Sequence, residues 1–106
     1  MKIYIAGPIT GNKDYIKQFK RAENRLKKQG HTVINPVESE GFMYDEYLDM
    51  GIVKLSKCNG IYLLDGFRYS KGAKFELIYA VLTKKKIICE NFKDQSYVKG
   101  VREKWK

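Results

Sequence analysis

The 106-residue chain reads as one α/β domain with a parallel sheet covered by helices on both faces. Two observations predict this. Short apolar, β-branched runs alternate with longer stretches of helical periodicity, giving the order βαβαβαβ, and such alternation implies parallel strands joined by crossover helices. The run at 61–64 is apolar at every position, as expected of a strand buried on both sides. The length suffices for one core and not for two. The natural arrangement is a flavodoxin-like (Rossmann-like) sheet of four to five strands in the order 2-1-3-4. Residues 1–90 form the domain, and 91–106 a basic tail with a short helix around Ser96 to Lys104.

Met1 to Ala6 is a buried strand, ending at Gly7 and Pro8. Gly7, Pro8 and Gly11 make a turn-rich loop. Asn12 or Asp14 caps a helix with the apolar stripe Tyr15, Phe19, Ala22 and Leu26. Gly30 ends it, with Lys27 and Lys28 in the last turn, where cations suit the helix dipole. His31 to Asn35 is a second strand, stopped by Pro36, and Val37 to Gly41 is a loop. A second helix from Phe42 to Lys57 carries the inward stripe Tyr44, Tyr47, Leu48, Gly51, Ile52 and Leu55. Ile61 to Leu64 is the third strand, Asp65 to Tyr69 the loop at its carboxyl end. A third helix runs from Gly72 to Lys84, and Lys86 to Cys89 is the fourth strand.

Composition narrows the function classes. No run is long enough to span a membrane and no leader pattern opens the chain, so a cytoplasmic protein without membrane contact is expected. Cys58 and Cys89 fit no metal spacing and read as small hydrophobes; neither a metal, a cofactor nor a disulfide is expected. His31 reads as structural. The net charge of +9, from 21 basic and 12 acidic residues, attracts polyanions or phosphorylated small molecules. The lysines are spread over helix faces that point to solvent, and no nucleic-acid-binding motif accompanies them. A nucleic-acid partner is therefore possible but not favoured.

In doubly wound sheets ligands bind beyond the carboxyl ends of the strands, at the switch point between strands 1 and 3. That rule selects the loops Gly7 to Gly11 and Asp65 to Gly72. Glu76 lies one turn into the helix that the second loop feeds, inside an apolar stretch, with no obvious partner at helical spacing. A carboxylate in an apolar face costs several kcal/mol unless compensated. It marks a functional site, or a side chain that reaches solvent, Lys74 or Lys84. Tyr4 is a core tyrosine, or a hydroxyl that holds this carboxylate. The glycines of the first loop let an anion approach backbone N–H groups, or simply form a turn. Ser70 is an N-cap or part of a phosphate site at the helix start. Phe67 and Tyr69 stack on a base or cover the sheet edge.

Three segments carry a family resemblance: YIAGPITG at 4–11, CNGIYLLDGF at 58–67 and YSKGAKFELIYA at 69–80. In this order they resemble the nucleoside 2-deoxyribosyltransferase superfamily, nearest to a short branch common in phages and bacteria, over about the first nine-tenths of the chain. The resemblance implies an N-glycosidase or deoxyribosyltransferase-like enzyme acting on a (deoxy)nucleoside 5'-monophosphate. Glu76 is then the nucleophile, forming a glycosyl-enzyme ester that water or a base resolves. Tyr4 orients it, and Gly7, Pro8, Ile9, Thr10 and Gly11 lie under sugar and phosphate. Phe67, Ser70 and Gly72 complete the substrate contacts. Ser70 matches the 5'-phosphate-binding serine of the monophosphate hydrolases, where transferases carry aspartate. Pro8 replaces the hydrolases' binding-loop serine, so the phosphate grip differs.

One departure matters. The family's general acid falls at Gly51, and the acid that opens strand 3 is Asn59. Asp49 is the nearest carboxylate, about 200° around the helix. Losing such an acid costs roughly two to four orders of magnitude in rate. The alternative is accordingly a non-catalytic nucleotide-binding protein on the same fold. Relatives complete their sites with a neighbour's residues, so a homodimer or larger assembly is expected, with Phe42, Tyr44 and Tyr47 at its interface.

Overall fold

Four parallel strands pair in the order β2-β1-β3-β4 in a computed structural model that describes residues 1–38 and 51–105. The strands are β1 (Lys2–Ala6), β2 (Thr32–Ile34), β3 (Gly60–Leu63) and β4 (Lys86–Cys89). The helices are α1 (Tyr15–Lys28), α2 (described over 51–56), α3 (Lys71–Leu82) and α4 (Gln95–Trp105). Short 3-10 turns occupy Pro36–Glu38, Phe67–Tyr69 and Phe92–Asp94. The expected topology is the observed one, with β1 and β3 at the centre. The residues Asp49, Phe42, Tyr44, Tyr47 and Leu48, and most of the helix expected from Phe42, lie outside the described residues.

Strand alternation divides the core into two layers. Ile3, Ile5, Tyr62 and Leu64 face α1 and pack with its Phe19, Ala22 and Leu26. Tyr4, Ala6, Ile61 and Leu63 face the other way, against Leu55 of α2, Ala73, Leu77 and Ala80 of α3, and Val98 of α4. The period of two that buries Ile3 and Ile5 under α1 is what aims Tyr4 at α3. The segment after Glu90 is more than a tail: α4 docks on α3 and sinks Val98 into the core.

Helix α1 differs from expectation in one respect. Its buried face includes Glu23 beside Phe19, Ala22 and Leu26, while Tyr15 is only half-buried. The Glu23 carboxylate accepts from Lys27 Nζ at 2.6 Å, Lys20 Nζ at 3.4 Å and Asn35 Nδ2 at 3.0 Å. These partners hold its carboxyl down at about 2, the Lys27 and Asn35 hydrogen bonds outweighing burial. Asn59 also has a defined role: its side chain accepts from the Lys2 backbone N–H at 2.9 Å and joins the start of β3 to β1.

Candidate functional site

The site is built at the carboxyl ends of β1 and β3. The loop after β1 turns at Gly7, where a Cβ would stand 2.7 Å from Leu64 Cδ1, so only glycine lets the two strand ends approach this closely. A side-chain relay then joins the two loops that the switch-point rule selects. Asn12 Nδ2 donates to the Pro8 carbonyl at 3.0 Å and to Gln18 Oε1 at 2.9 Å, and Gln18 Nε2 donates to the Asp65 carbonyl at 2.9 Å. Asn12 thus serves the loop rather than α1, whose N-cap residue, Asp14, makes no side-chain cap bond.

Helix α3 begins under the second loop. Ser70 is its N-cap, with Oγ accepting from the Ala73 N–H at 3.1 Å. That bond uses a lone pair and leaves the hydroxyl hydrogen available to a ligand, so capping and ligand contact are compatible. One turn on, Glu76 points back at the sheet and is only 7% exposed. Its partner is the Tyr4 hydroxyl, which donates to Glu76 Oε2. Burial raises the Glu76 carboxyl from 4.5 to about 8 against the opposing effect of the Tyr4 hydrogen bond, and the same burial, reinforced by Glu76, raises the Tyr4 phenol well above its usual range. Burial thus biases both groups toward their neutral, protonated forms.

Gly51, at the first described residue of α2, closes over this pair. A Cβ there would lie 2.6 Å from the Tyr4 hydroxyl and closer still to Glu76 Oε2. A side chain at this position would have to displace the Glu76 carboxyl or the Tyr4 hydroxyl.

A cavity of about 510 Å³ opens in front of Glu76 and Tyr4. Of the residues expected to touch substrate, Gly7, Ile9, Thr10, Ser70 and Gly72 line it, together with Tyr4 and Glu76. Pro8, Gly11 and Phe67 do not. Pro8 turns toward Gly66, and Gly11 sits at φ 78° with open space around it. Phe67 is wholly buried, edge-on to Tyr97 at 5.7 Å between ring centroids. The 3-10 turn sends Phe67 into the core and leaves Tyr69, two residues on, 92% exposed at the cavity wall. Lys71, inside the loop the switch-point rule selects but given no role of its own, and Pro36, which the sequence reading did not place at the site, also line the cavity. Lys71 had a signal, being a cation in the first turn of the helix that follows Ser70.

His31 keeps a buried Nδ1 without a partner among the described residues, away from the cavity. Cys58 is buried and Cys89 half-buried, both free thiols. Among the described residues no cluster of His, Cys, Asp or Glu could hold a metal ion, and no helix is long and apolar enough to cross a membrane.

The sheet order and the placement of helices are those of a nucleoside deoxyribosyltransferase-like α/β fold. The structure of a 2-deoxyribosyltransferase from the psychrotolerant bacterium Bacillus psychrosaccharolyticus, characterised as a biocatalyst for synthesis of antiviral and antitumoral nucleosides, superposes with a TM-score of 0.67. Identity is 23%, over 84% of this chain and 71% of that one, a likeness of fold. No curated protein sequence matches the chain. The chain belongs to the family described as Domain of unknown function (DUF4406), whose model matches residues 1–89.

Proposed function

We propose that this protein is a nucleotide-processing enzyme that breaks the N-glycosidic bond of a (deoxy)nucleoside 5'-monophosphate through Glu76. The observation that carries the reading is the buried Tyr4–Glu76 pair at the wall of a cavity sited where this class of sheet binds ligands. The reading is also supported by the shared fold with a 2-deoxyribosyltransferase. The ionised Glu76 carboxylate attacks the anomeric carbon. The carbon–nitrogen bond breaks, and the base leaves with the electron pair and takes a proton from water. Water or a second base then displaces the glutamyl ester. The Tyr4 hydroxyl holds the carboxylate in line. Ser70, Lys71 and the N–H groups at the start of α3 offer donors and positive charge to the 5'-phosphate. Gly51 supplies no proton, so turnover is slow, roughly two to four orders of magnitude below an enzyme with a placed acid. Any contribution from Asp49, and any neighbouring copy completing the site, belong to the same proposal.

The test is release of free base from a panel of deoxy- and ribonucleoside 5'-monophosphates, with Glu76→Ala alongside. Release that disappears in the variant is the expected result. Release that survives in Glu76→Ala would end the mechanism. A second reading, nucleotide binding without turnover, is favoured by one observation: Gly51 packs directly on Glu76, whose carboxyl burial biases toward the protonated form. It predicts thermal stabilisation by a nucleotide and no free base after long incubation.

A further inference from the structure

Helix α3 has a second face, which the mechanism uses at no residue but Lys71. Where α4 crosses it, a groove of about 670 Å³ runs between the two helices. Phe75, immediately before Glu76 in sequence, is 62% exposed there, and Trp105 is 39% exposed. Lys71, Lys74 and Lys104 line the same groove, and none of its lining residues among the described residues is acidic. Lys104 Nζ lies 6.0 Å from the centre of the Trp105 ring. Lys71 lines both this groove and the Glu76 cavity.

The groove floor contains a further anomaly. Gly100 sits in the middle of α4, where glycine costs about 1 kcal/mol relative to alanine. Neither its backbone nor its packing among the described residues calls for glycine: its φ is not positive, and an added Cβ would meet nothing within 4 Å. The missing side chain leaves open space where Gly100 lines the groove.

Charge and ring chemistry select the occupant. A second copy of this chain would bring lysines against lysines, each copy carrying a net charge of +9. Flat exposed aromatic rings flanked by cations, with no acid among the described lining residues, suit a ligand that alternates anionic groups with flat rings. That is the chemistry of single-stranded nucleic acid, in which bases stack on aromatic side chains and phosphates meet lysines. We propose that the α3–α4 groove is a track for a short single strand, whose bases stack on Phe75 and Trp105 and whose phosphates meet Lys71, Lys74 and Lys104. Resting on the nucleotide reading of the Glu76 cavity, this makes the nucleotide in that cavity the end of a strand rather than only a free monomer.

Trp105 is the single tryptophan of the chain, so its emission reports the groove directly. The experiment titrates the full chain with oligothymidylate and oligouridylate of about eight nucleotides, and with polyphosphate as a control without bases. Quenching by either oligonucleotide is expected, with affinity falling roughly 20-fold between about 50 and 200 mM salt for three phosphate contacts. Quenching by one and not the other supports the track and assigns the sugar it accepts. Gly100→Leu and Lys104→Glu should each weaken strand binding at least about tenfold, through the blocked floor and the reversed charge respectively. No quenching at low salt, equal quenching by polyphosphate, or quenching unmoved in both variants would overturn the track. So would concentration-dependent Trp105 emission accompanied by dimerisation in sedimentation, which would mean that a second copy covers the groove. Thermal stabilisation by a nucleoside monophosphate reads the Glu76 cavity separately. If the monomer stabilises and the strand fails to quench, the track alone is wrong; if the monomer also fails, so is the nucleotide reading.

Discussion

Glu76 and Tyr4 lie 72 residues apart and meet only because β1 presents its even-numbered side chains to α3. The pair has a thermodynamic consequence with a definite sign. With its folded carboxyl near 8 and an unfolded value near 4.5, Glu76 holds a proton in the folded state that the unfolded chain releases, so its presence lowers stability as pH rises through that window. Glu76→Gln keeps an acceptor for Tyr4 and removes the titration. We expect variant and parent to be similar near pH 4 and the variant to gain up to roughly 5 kcal/mol by alkaline pH, at about 1.4 kcal/mol per pKa unit. Urea unfolding at several pH values measures this, and a gap independent of pH would contradict it. Activity has the opposite trend, since attack requires the ionised form: kcat/KM should rise with pH and level off above about 8. Gly51 belongs to the same cluster. Gly51→Ala should lose about 1–3 kcal/mol of stability, because its Cβ has to displace the Tyr4 hydroxyl or the Glu76 carboxyl. Gly51→Asp should lose more, and should fail to restore a general acid. A thermal melt at least as high as the parent's for Gly51→Ala would show that α2 gives way easily. The odd acid at 76 was visible in the sequence because charge in an apolar helical run is rare. The crowding at Gly51 was not, because absence of a side chain leaves no pattern to read.

At the scale of elements, polar side chains hold the two loops of the site in place. The Asn12–Gln18 relay ties the loop after β1 to the loop after β3. Glu23 ties α1 to Asn35, beside Pro36 in the cavity wall. Both networks join residues whose types are common on helix surfaces, so nothing in their sequence spacing distinguished them from solvated positions. The Glu23 carboxyl is depressed, so its contribution is present at neutral pH and is lost as pH falls from about 4.5 through about 2. Glu23→Gln should therefore cost about 1–3 kcal/mol at pH 7, and the difference from the parent should vanish near pH 2, as acid titrations of both proteins would reveal. Equal stability at pH 7 would mean that the half-exposed lysines contribute little, as surface ion pairs often do. The 3-10 turn at Phe67–Tyr69 separates its two aromatics. Loop composition left open whether Phe67 and Tyr69 meet a ligand or cover the sheet edge, and the turn buries Phe67 and exposes Tyr69 at the cavity wall.

For the whole molecule, the excess of positive charge is the dominant electrostatic fact. With +9 spread over 106 residues, self-repulsion opposes the compact state, and added salt should screen it. The melting temperature should rise between low and physiological ionic strength, and a fall would show that ion pairs such as Arg25–Glu90 outweigh repulsion. By itself the sequence determined the strand and helix order, the 2-1-3-4 topology, the two loops at the switch point and the prominence of Glu76. Hydrophobic periodicity and turn residues act locally and can be read along the chain. The sequence offered Tyr4 both as core and as the partner of Glu76; only the tertiary structure decided between them, and it alone decided that Gly51 packs on that pair, that Phe67 is core, and that α4 docks on α3 to form a basic aromatic groove. Those outcomes depend on which side chains from distant segments share a volume, and close packing in three dimensions settles that where linear spacing cannot.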